Sequence, residues 1–292
     1  MLVVQYLAAN PPVLLTFTAL LGLTIGSFLN VVIHRLPKMM ERDWRNQCAE
    51  ILEGAPPPDR QPAFNLVVPR SRCPNCDHQI TALENIPVVS YLVLKGRCSE
   101  CKWRIPLRYP AIEILCGLLS VIVVWQFGLT VQAAGALLLT WALIALSFID
   151  FDTQFLPDAI TLPFLWLGLA FNVAGIFTST QASVIGAIAG YLTLWSVYHV
   201  FRLITGKEGM GYGDFKLLAL FGAWLGWSAL PLVVLLSSLV GAVIGIGLIA
   251  VRGHDKNIPI PFGPYLAIAG WIAMLWGNQL MDAYLGMSGL NR

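Results

Sequence analysis

Long apolar stretches dominate the sequence, and they constrain its fold more than any other feature. A helix that crosses the hydrocarbon core of a bilayer needs about 20 mostly apolar residues. Stretches that reach or approach this length cover residues 13–33, 111–129, 133–149, 159–177, 182–201, 215–230, 232–251 and 262–281. The sequence therefore predicts an all-α polytopic membrane protein, a bundle of about eight transmembrane helices.

The low charge content excludes several other classes of protein. Only 12% of the residues are charged and 57% are apolar, whereas about 25% of a soluble domain is charged. A water-soluble globule, a disordered chain and a basic nucleic-acid-binding domain do not have this composition. We expect a lipid bilayer as the surroundings of the chain and no nucleic-acid partner.

The basic residues indicate which parts of the chain face the cytoplasm. Residues 34–110 hold 12 of the 18 lysines and arginines, and cytoplasmic loops carry an excess of such residues. With eight spans, both termini then lie outside. We therefore predict a first transmembrane helix at 1–33, a cytoplasmic domain at 34–110 with a Pro-rich loop at 54–62, and a seven-helix membrane domain at 111–292.

Four of the six cysteines form two C-x2-C pairs, Cys73–Cys76 and Cys98–Cys101, with 21 residues between the pairs. Two such pairs can complete the tetrahedral four-sulfur site of structural Zn²⁺. Two disulfides are the alternative, but structural disulfides are rare in a reducing cytosol. A Pro-rich domain of 77 residues has little core of its own, so a bound metal would stabilise it. The pattern favours Zn²⁺ bound by Cys73, Cys76, Cys98 and Cys101.

Two aspartates stand where predicted helices meet the cytoplasmic face. Asp150 ends the apolar run WALIALSFI, and Asp214 closes the glycine-rich segment GMGYGD. A carboxylate at the edge of the hydrocarbon is costly unless it is paired or functional. Two neighbouring carboxyl groups share a proton, so that one activates water and the other protonates the carbonyl or the leaving amine. The pair predicts aspartic-peptidase chemistry.

Helix capping is the plain alternative for such aspartates. Asp158 follows Pro157 and is expected to be the N-cap of the fourth predicted helix. Asp214 could also cap a helix, although a cap does not require glycines nearby. Asp152 is expected to be a solvated loop charge.

Two other functions compete with a peptidase. An ion-coupled membrane transporter could use interfacial aspartates and broken helices, but its ion sites usually lie near the midplane of the bilayer. No acidic residue occupies the middle of a predicted span. A metal-stabilised membrane scaffold without chemistry would leave the glycine-rich segment before Asp214 unexplained.

Several motifs resemble one known family, the type IV prepilin leader peptidases. The resemblance rests on residues 150–158 with their LPD ending, on GYGD around Asp214 and on the paired C-x2-C motifs. It continues through GSFLNVVIHRLP at 26–37, ENIPVVSYL at 84–92 and RYPAIE at 108–113. The motifs cover nearly the whole chain in order.

The resemblance implies a bifunctional enzyme of the bacterial inner membrane. Such an enzyme cleaves the leader of prepilins and pseudopilins after a Gly on the cytoplasmic side. It then methylates the new N-terminal residue with S-adenosylmethionine. The catalytic pair of the family maps onto Asp150 and Asp214. If the resemblance holds, residues 34–110 contribute the methyl-donor site, with Gly96 as a candidate for close backbone approach; alternatively, Gly96 only permits the turn before Cys98.

Overall fold

The computed structural model describes residues 2–53, 63–252 and 261–287, and the loop predicted at 54–62 lies outside them. The described chain divides into two compact units, Met1–Leu129 and Thr130–Arg292. The first unit contains α1 (Leu2–Ala9), α2 (Pro11–Glu53), α3 (Val89–Val93) and α4 (Arg108–Phe127). The second contains α5 (Val131–Thr153), α6 (Asp158–Val173), α7 (Thr180–Thr205), α8 (Tyr212–Leu225), a 3₁₀-helix (Trp227–Ala229), α9 (Leu230–Arg252) and α10 (Gly263–Met287).

The helices confirm the predicted class of an all-α, multi-pass membrane protein. The helical segments long and apolar enough to cross a membrane are Pro11–Leu52, Arg108–Phe127, Val131–Thr153, Thr180–Thr205 and Trp227–Ile244. The other predicted stretches also form helices, which are α6, α8 and α10. However, α8 has 14 residues, or about 21 Å, and is too short to cross about 30 Å of hydrocarbon alone. It ends before Gly226, whose φ of +81° breaks the helix.

The first long helix extends well beyond its apolar stretch. α2 runs through Pro37 to Glu53, about 20 residues past the predicted end at residue 33. Its last part is charged, and Arg45 donates to Glu41 one turn earlier at 2.5 Å. An i, i+4 pair of this kind stabilises a solvated helix, so the helix can continue where the apolar pattern stops.

Glycines let α2 and α4 pack closely in the first unit. A Cβ atom on Gly26 would lie 2.7 Å from the Cα atom of Glu113, and one on Gly22 would lie 2.8 Å from the Cα atom of Gly117. Small residues at such contacts are typical of membrane helices. Asn30 on α2 also donates to the carbonyl of Tyr109 at the start of α4, at 3.2 Å. The GSFLN motif therefore holds the start of α4 against α2.

In the second unit, α8 is the central helix. It packs against α6, α7, α9 and α10, and most of its residues from Asp214 to Trp224 are buried. A helix that is apolar all round is expected in such a position. A Cβ atom on Gly222 would lie 2.0 Å from the carbonyl oxygen of Gly186 on α7, so the two backbones touch.

A buried amide holds the far end of α8. Asn172 donates to the carbonyls of Ala223 at 2.8 Å and Trp224 at 3.0 Å. Its Oδ1 atom accepts N–H groups of Phe177 and Thr178, both at 3.0 Å. The last carbonyls of a helix have no partner within the helix, and here a side chain satisfies two of them. The C-terminal end of α8, the helix that begins near Asp214, is thereby fixed.

Candidate active site and metal centre

Asp150 lies in the last turn of α5 and is 5% exposed. Its Oδ2 atom accepts the backbone N–H of Gly263, the first residue of α10, at 3.0 Å. The N-terminus of a helix carries partial positive charge and unpaired N–H groups, and it favours an anion. The start of α10 therefore holds the carboxyl group of Asp150 in place.

Asp214 lies in the first turn of α8 and is 6% exposed. Gly211 is the N-cap residue of this helix and makes no side-chain capping bond. The N–H of Asp214 donates to the carbonyl of Gly211 at 3.2 Å. Asp214 is thus inside the first turn, at the positive end of α8, and is not its N-cap.

The structure brings these two carboxyl groups together from separate helices. They are close enough to interact electrostatically, and the buried side chain of Leu156 lies beside both Gly213, which precedes Asp214, and Gly263, which binds Asp150. A Cβ atom on Gly213, next to Asp214, would lie 2.7 Å from the Cβ atom of Leu156. A Cβ atom on Gly263 would lie 3.3 Å from Cδ1 of Leu156 and 2.6 Å from Oδ2 of Asp150. The backbone thus approaches the carboxyl group of Asp150 at Gly263 and the side chain of Leu156 at Gly213, where only glycine fits.

Such a pair can carry out general acid–base chemistry. Two carboxyl groups at close range do not both ionise easily, so one proton is shared between them. One group can then take a proton from water while the other gives a proton to the reacting amide.

The sequence did not identify Gly263 as part of this site. The segment Phe262-Gly263-Pro264 begins the last apolar stretch, and a Pro beside a Gly signals the start of a helix. That signal predicts the helix but not its partner, because Gly263 and Asp150 are 113 residues apart.

The two other aspartates near the site, Asp158 and Asp152, differ from expectation in their positions relative to helix ends. The predicted N-cap role of Asp158 is wrong, because Pro157 is the N-cap of α6 and Asp158 is already in the first turn. Both carboxylate oxygens of Asp158 accept from Nζ of Lys216, on α8, at 2.7 Å. Asp152 is exposed as expected, but it lies in the last turn of α5 instead of a loop.

The two C-x2-C pairs adopt the same local fold in the first unit. Cys73 N–H donates to the carbonyl of His78 at 2.9 Å, and Cys98 N–H donates to that of Trp103 at 2.8 Å. Asp77 and Lys102, each four residues after the first cysteine of its pair, have φ of +56° and +58°. Each turn is closed by an isolated antiparallel bridge, Arg72 with Gln79 and Arg97 with Arg104. Each pair is therefore a knuckle that turns two thiols to one side.

The four sulfur atoms form a cluster that could hold a metal ion. All lie within 4.8 Å of one another, with Cys73–Cys101 at 3.8 Å and Cys76–Cys98 at 4.0 Å. Tetrahedral Zn²⁺ with Zn–S bonds of about 2.3 Å places its sulfurs about 3.8 Å apart. The disulfide alternative is wrong here, because all four cysteines are free and a disulfide needs about 2.05 Å.

Glu84 ties the two knuckles together. The hydroxyl of Ser99, beside Cys98, donates to it, and both the N–H and the hydroxyl of Thr81 donate to it at 2.8 Å. These bonds lower the pKa of Glu84 to about 2, with Ser99 the main cause. Glu84 is therefore a carboxylate at neutral pH.

A cavity of about 400 Å³ lies beside the cysteine cluster, within the first unit. Cys73 and Cys98 are on its wall, together with Arg35, Tyr91 and Glu113. The predicted donor-site residue Gly96 has φ of +67°, and a Cβ atom there would lie 2.7 Å from the hydroxyl oxygen of Tyr91. Gly96 thus packs against Tyr91, whose side chain lines the cavity.

Comparison with known proteins agrees with these features. The model of the bacterial peptidase A24 N-terminal domain matches residues 20–127, and that of the type IV leader peptidase family matches residues 137–246. Similar proteins include one from Stutzerimonas stutzeri, 58% identical over 97% of both chains, and one from Pseudomonas aeruginosa, 57% identical over 98% of both. A third, from Neisseria gonorrhoeae, is 49% identical over 95% of this chain and 96% of its own.

Each of these relatives is named prepilin leader peptidase/N-methyltransferase. No solved structure matches the chain. Both family models match in chain order, and the relatives are similar over almost the full length. The chain therefore belongs to the type IV leader peptidase family.

Proposed function

We propose that this protein cleaves the leader peptide of prepilins and pseudopilins with the carboxyl groups of Asp150 and Asp214, and then N-methylates the new N-terminal residue. The main support is the pair of buried, interacting carboxyl groups from α5 and α8. The names of the similar proteins support both activities. They give no support to the alternative of an ion-coupled transporter.

The peptidase step needs one proton shared by the pair. One carboxylate takes a proton from a water molecule, and the oxygen of that water attacks the carbonyl carbon of the scissile peptide bond. During this attack the other carboxyl group gives its proton to the carbonyl oxygen. The C–N bond then breaks, and the leaving nitrogen, which becomes the new N-terminus, takes a proton from the pair.

We place the enzyme in the inner membrane of a bacterium, with residues 34–110 and the aspartate pair on the cytoplasmic side. The concentration of basic residues in 34–110 supports this orientation. A prepilin with its apolar helix in the bilayer would then present its scissile bond at the level of helix ends such as those that carry Asp150 and Asp214.

We assign the methyl-donor site to the domain at 34–110 and its neighbouring helices, with S-adenosylmethionine as the donor. The donor supplies an electrophilic methyl group. The protein has to bind it and to present the pilin amine without its extra proton. Zn²⁺ held by Cys73, Cys76, Cys98 and Cys101 would have a structural role, since all four positions of the tetrahedron are taken by protein.

The test of the peptidase assignment uses purified protein, a prepilin and mass spectrometry of the pilin N-terminus. Asp150→Asn and Asp214→Asn keep the shape of the side chain but cannot share a proton, so cleavage should fall to near background. Asp152→Asn changes an exposed residue near Asp150 and should keep most of the activity. Normal cleavage by Asp150→Asn would show that the assignment is wrong.

The same assay separates the two activities. Methyl transfer makes no use of an aspartate pair, so Asp150→Asn should still methylate a pilin that has already been cleaved. Loss of that methylation, with fold and zinc content intact, would mean that both reactions use one site.

A further inference from the structure

The cavity in the first unit has two buried charges on its wall. Arg35 on α2 and Glu113 on α4 are each 8% exposed, and both line the cavity. A volume of about 400 Å³ is within the range of pockets for ligands of drug size. Buried charges are costly unless they are paired or functional, so the two residues need an explanation.

Arg35 uses only part of its hydrogen-bonding capacity within the described residues. Its Nη1 atom donates to the carbonyl of Asn65 at 2.9 Å, and its guanidinium lies 5.8 Å from the centre of the Phe64 ring. The described residues provide no carboxylate partner for it. A guanidinium has five N–H donors in a planar fork that suits a carboxylate. Arg35 therefore suits an anionic group that enters the cavity from outside.

Glu113 lies at a different level of the same cavity. Its Oε2 atom accepts the N–H of Val88 at 2.8 Å, and its backbone packs against Gly26. Val88 has φ of +60°, which is unfavourable for a β-branched residue. Strained backbone that persists is often found at functional sites. Arg35 is about 13 Å further along α2 than Gly26, at 1.5 Å per residue.

Aromatic side chains complete the wall. Tyr91, Trp103 and Tyr109 all line the cavity. Aromatic rings can stack on an adenine and attract a cation such as a sulfonium group. The residues present thus fit the adenine, the sulfonium group and the carboxylate of S-adenosylmethionine.

We propose that this cavity is the methyl-transfer site, in which Arg35 binds the carboxylate of S-adenosylmethionine and Glu113 receives the α-amine of the cleaved pilin. The inference rests on the methyltransferase activity proposed above and names the residues that would serve it. Because Arg35 lies further along α2 than Gly26, the residue that the backbone of Glu113 contacts, the donor carboxylate and the incoming amine would bind at different levels of the cavity.

Glu113 has a chemical task in this arrangement. An α-amino group with a pKa of about 8 is mostly protonated at pH 7, and the ammonium form has no lone pair. The carboxylate of Glu113 takes one proton from it. The nitrogen lone pair then forms the new C–N bond as the C–S bond breaks and its electron pair goes to sulfur.

The test of Arg35 is a binding measurement on the full-length protein in detergent. S-adenosylhomocysteine contains the carboxylate, whereas 5′-methylthioadenosine lacks the whole amino-acid part. In calorimetric titrations Arg35→Met should weaken S-adenosylhomocysteine binding about 10- to 100-fold, the range for a lost charge-assisted hydrogen bond, and leave 5′-methylthioadenosine binding unchanged. Arg45→Met, at an exposed arginine of the same helix that does not line the cavity, is the control and should bind both as the unchanged protein does.

The test of Glu113 separates binding from transfer. Glu113→Gln keeps the size of the side chain, so it should still bind S-adenosylhomocysteine but methylate a pre-cleaved pilin at least 100-fold more slowly. Zinc content and the thermal midpoint of each variant report whether it is folded. If Arg35→Met does not fold, Arg35→Lys takes its place. This variant keeps the charge but loses the planar fork, and it should also weaken binding of S-adenosylhomocysteine.

Three results would overturn parts of the scheme in different ways. Unchanged S-adenosylhomocysteine affinity in folded Arg35 variants would place the donor elsewhere. Methylation at the normal rate by Glu113→Gln would remove Glu113 from the reaction. If the unchanged protein neither binds S-adenosylhomocysteine nor methylates cleaved pilin, the proposed methyltransferase function itself fails.

Discussion

At the scale of single residues, the aspartate site depends on a position without a side chain. Gly263 donates its N–H to Oδ2 of Asp150 at 3.0 Å, and a Cβ atom on Gly263 would lie 2.6 Å from that same oxygen. The hydrogen bond therefore requires a residue without a side chain. An alanine at this position could keep the hydrogen bond only if the carboxyl group of Asp150 moved.

We expect Gly263→Ala to reduce prepilin cleavage strongly. A shift of about 1 Å in a catalytic group can cost on the order of 100-fold in rate, and Asp150 would have to shift by a comparable amount. Gly247→Ala is the control, since that helical glycine has open space around it. Cleavage rates and thermal midpoints of both variants give the answer. Equal cleavage by the two variants would contradict a positioning role for Gly263.

Gly96 allows a similar test for methyl transfer. Gly96→Ala would strain a backbone with φ of +67° and push on the ring of Tyr91, which lines the cavity. We expect at least a tenfold loss of methylation of pre-cleaved pilin and normal cleavage of prepilin. Gly128→Ala is a matched control, because Gly128 has φ of +64° and no neighbour within 4 Å. If both variants lose methylation equally, the effect is backbone strain and does not involve Tyr91.

Residue types alone predicted part of these sites. Asp150 and Asp214 were proposed because carboxylates are rare and costly at the ends of apolar segments, and the cysteines were proposed because of their spacing. Gly263, Arg35 and Glu113 could not be found in this way. Their roles come from contacts between distant segments, such as Gly26 against Glu113, and a sequence shows no sign of which segments will touch.

At the scale of secondary-structure elements, an ion pair joins α6 to α8 close to Asp214. Lys216 donates to both oxygens of Asp158 at 2.7 Å. The two side chains are 28% and 47% exposed, so the pair is partly in contact with solvent. Exposed and partly exposed pairs contribute about 0.2–1 kcal/mol, which makes this contact a modest tie between the helices.

We expect Asp158→Asn to keep more than half of the cleavage activity, unlike Asp150→Asn. A double-mutant cycle of Asp158→Asn with Lys216→Met, read by unfolding, should give a coupling of about 0.5–1 kcal/mol. An inactive but folded Asp158→Asn variant would show that this aspartate takes part in the reaction.

Apolar periodicity and length predicted where helices occur better than where they end. α2 continues past residue 33 because its charged extension satisfies its own backbone and carries the Glu41–Arg45 pair. α8 stops at Leu225 because of Gly226. Hydropathy measures the transfer of side chains from water to lipid, and neither a solvated helix nor a glycine break changes that quantity enough to be seen.

At the scale of the whole molecule, the metal centre and the cavity share two residues. Cys73 and Cys98 belong to the cysteine cluster and also line the cavity. We expect about one Zn²⁺ per chain. Cys73→Ser should lose the metal and destabilise the first unit, since binding of a structural metal contributes directly to folding.

Removal of zinc should impair methylation at least as much as cleavage, because the aspartate pair lies in the second unit. Metal analysis together with mass spectrometry of pilin N-termini measures both effects. Metal-free protein with four titratable thiols, a normal thermal midpoint and normal methylation would refute the structural role of zinc.

The contact between α7 and α8 also limits how this protein can evolve. Each of Gly186 and Gly222 would place a new Cβ atom against the backbone of the other, at 2.4 Å and 2.0 Å from a carbonyl oxygen. A clash with a side chain can be relieved by a second, smaller residue, but backbone atoms are common to all residues. A smaller neighbouring side chain therefore cannot relieve the clash at this contact. Lineages that alter leader specificity or loop length are expected to keep both glycines. The contact sets the position of α8, and Asp214 lies in the first turn of that helix.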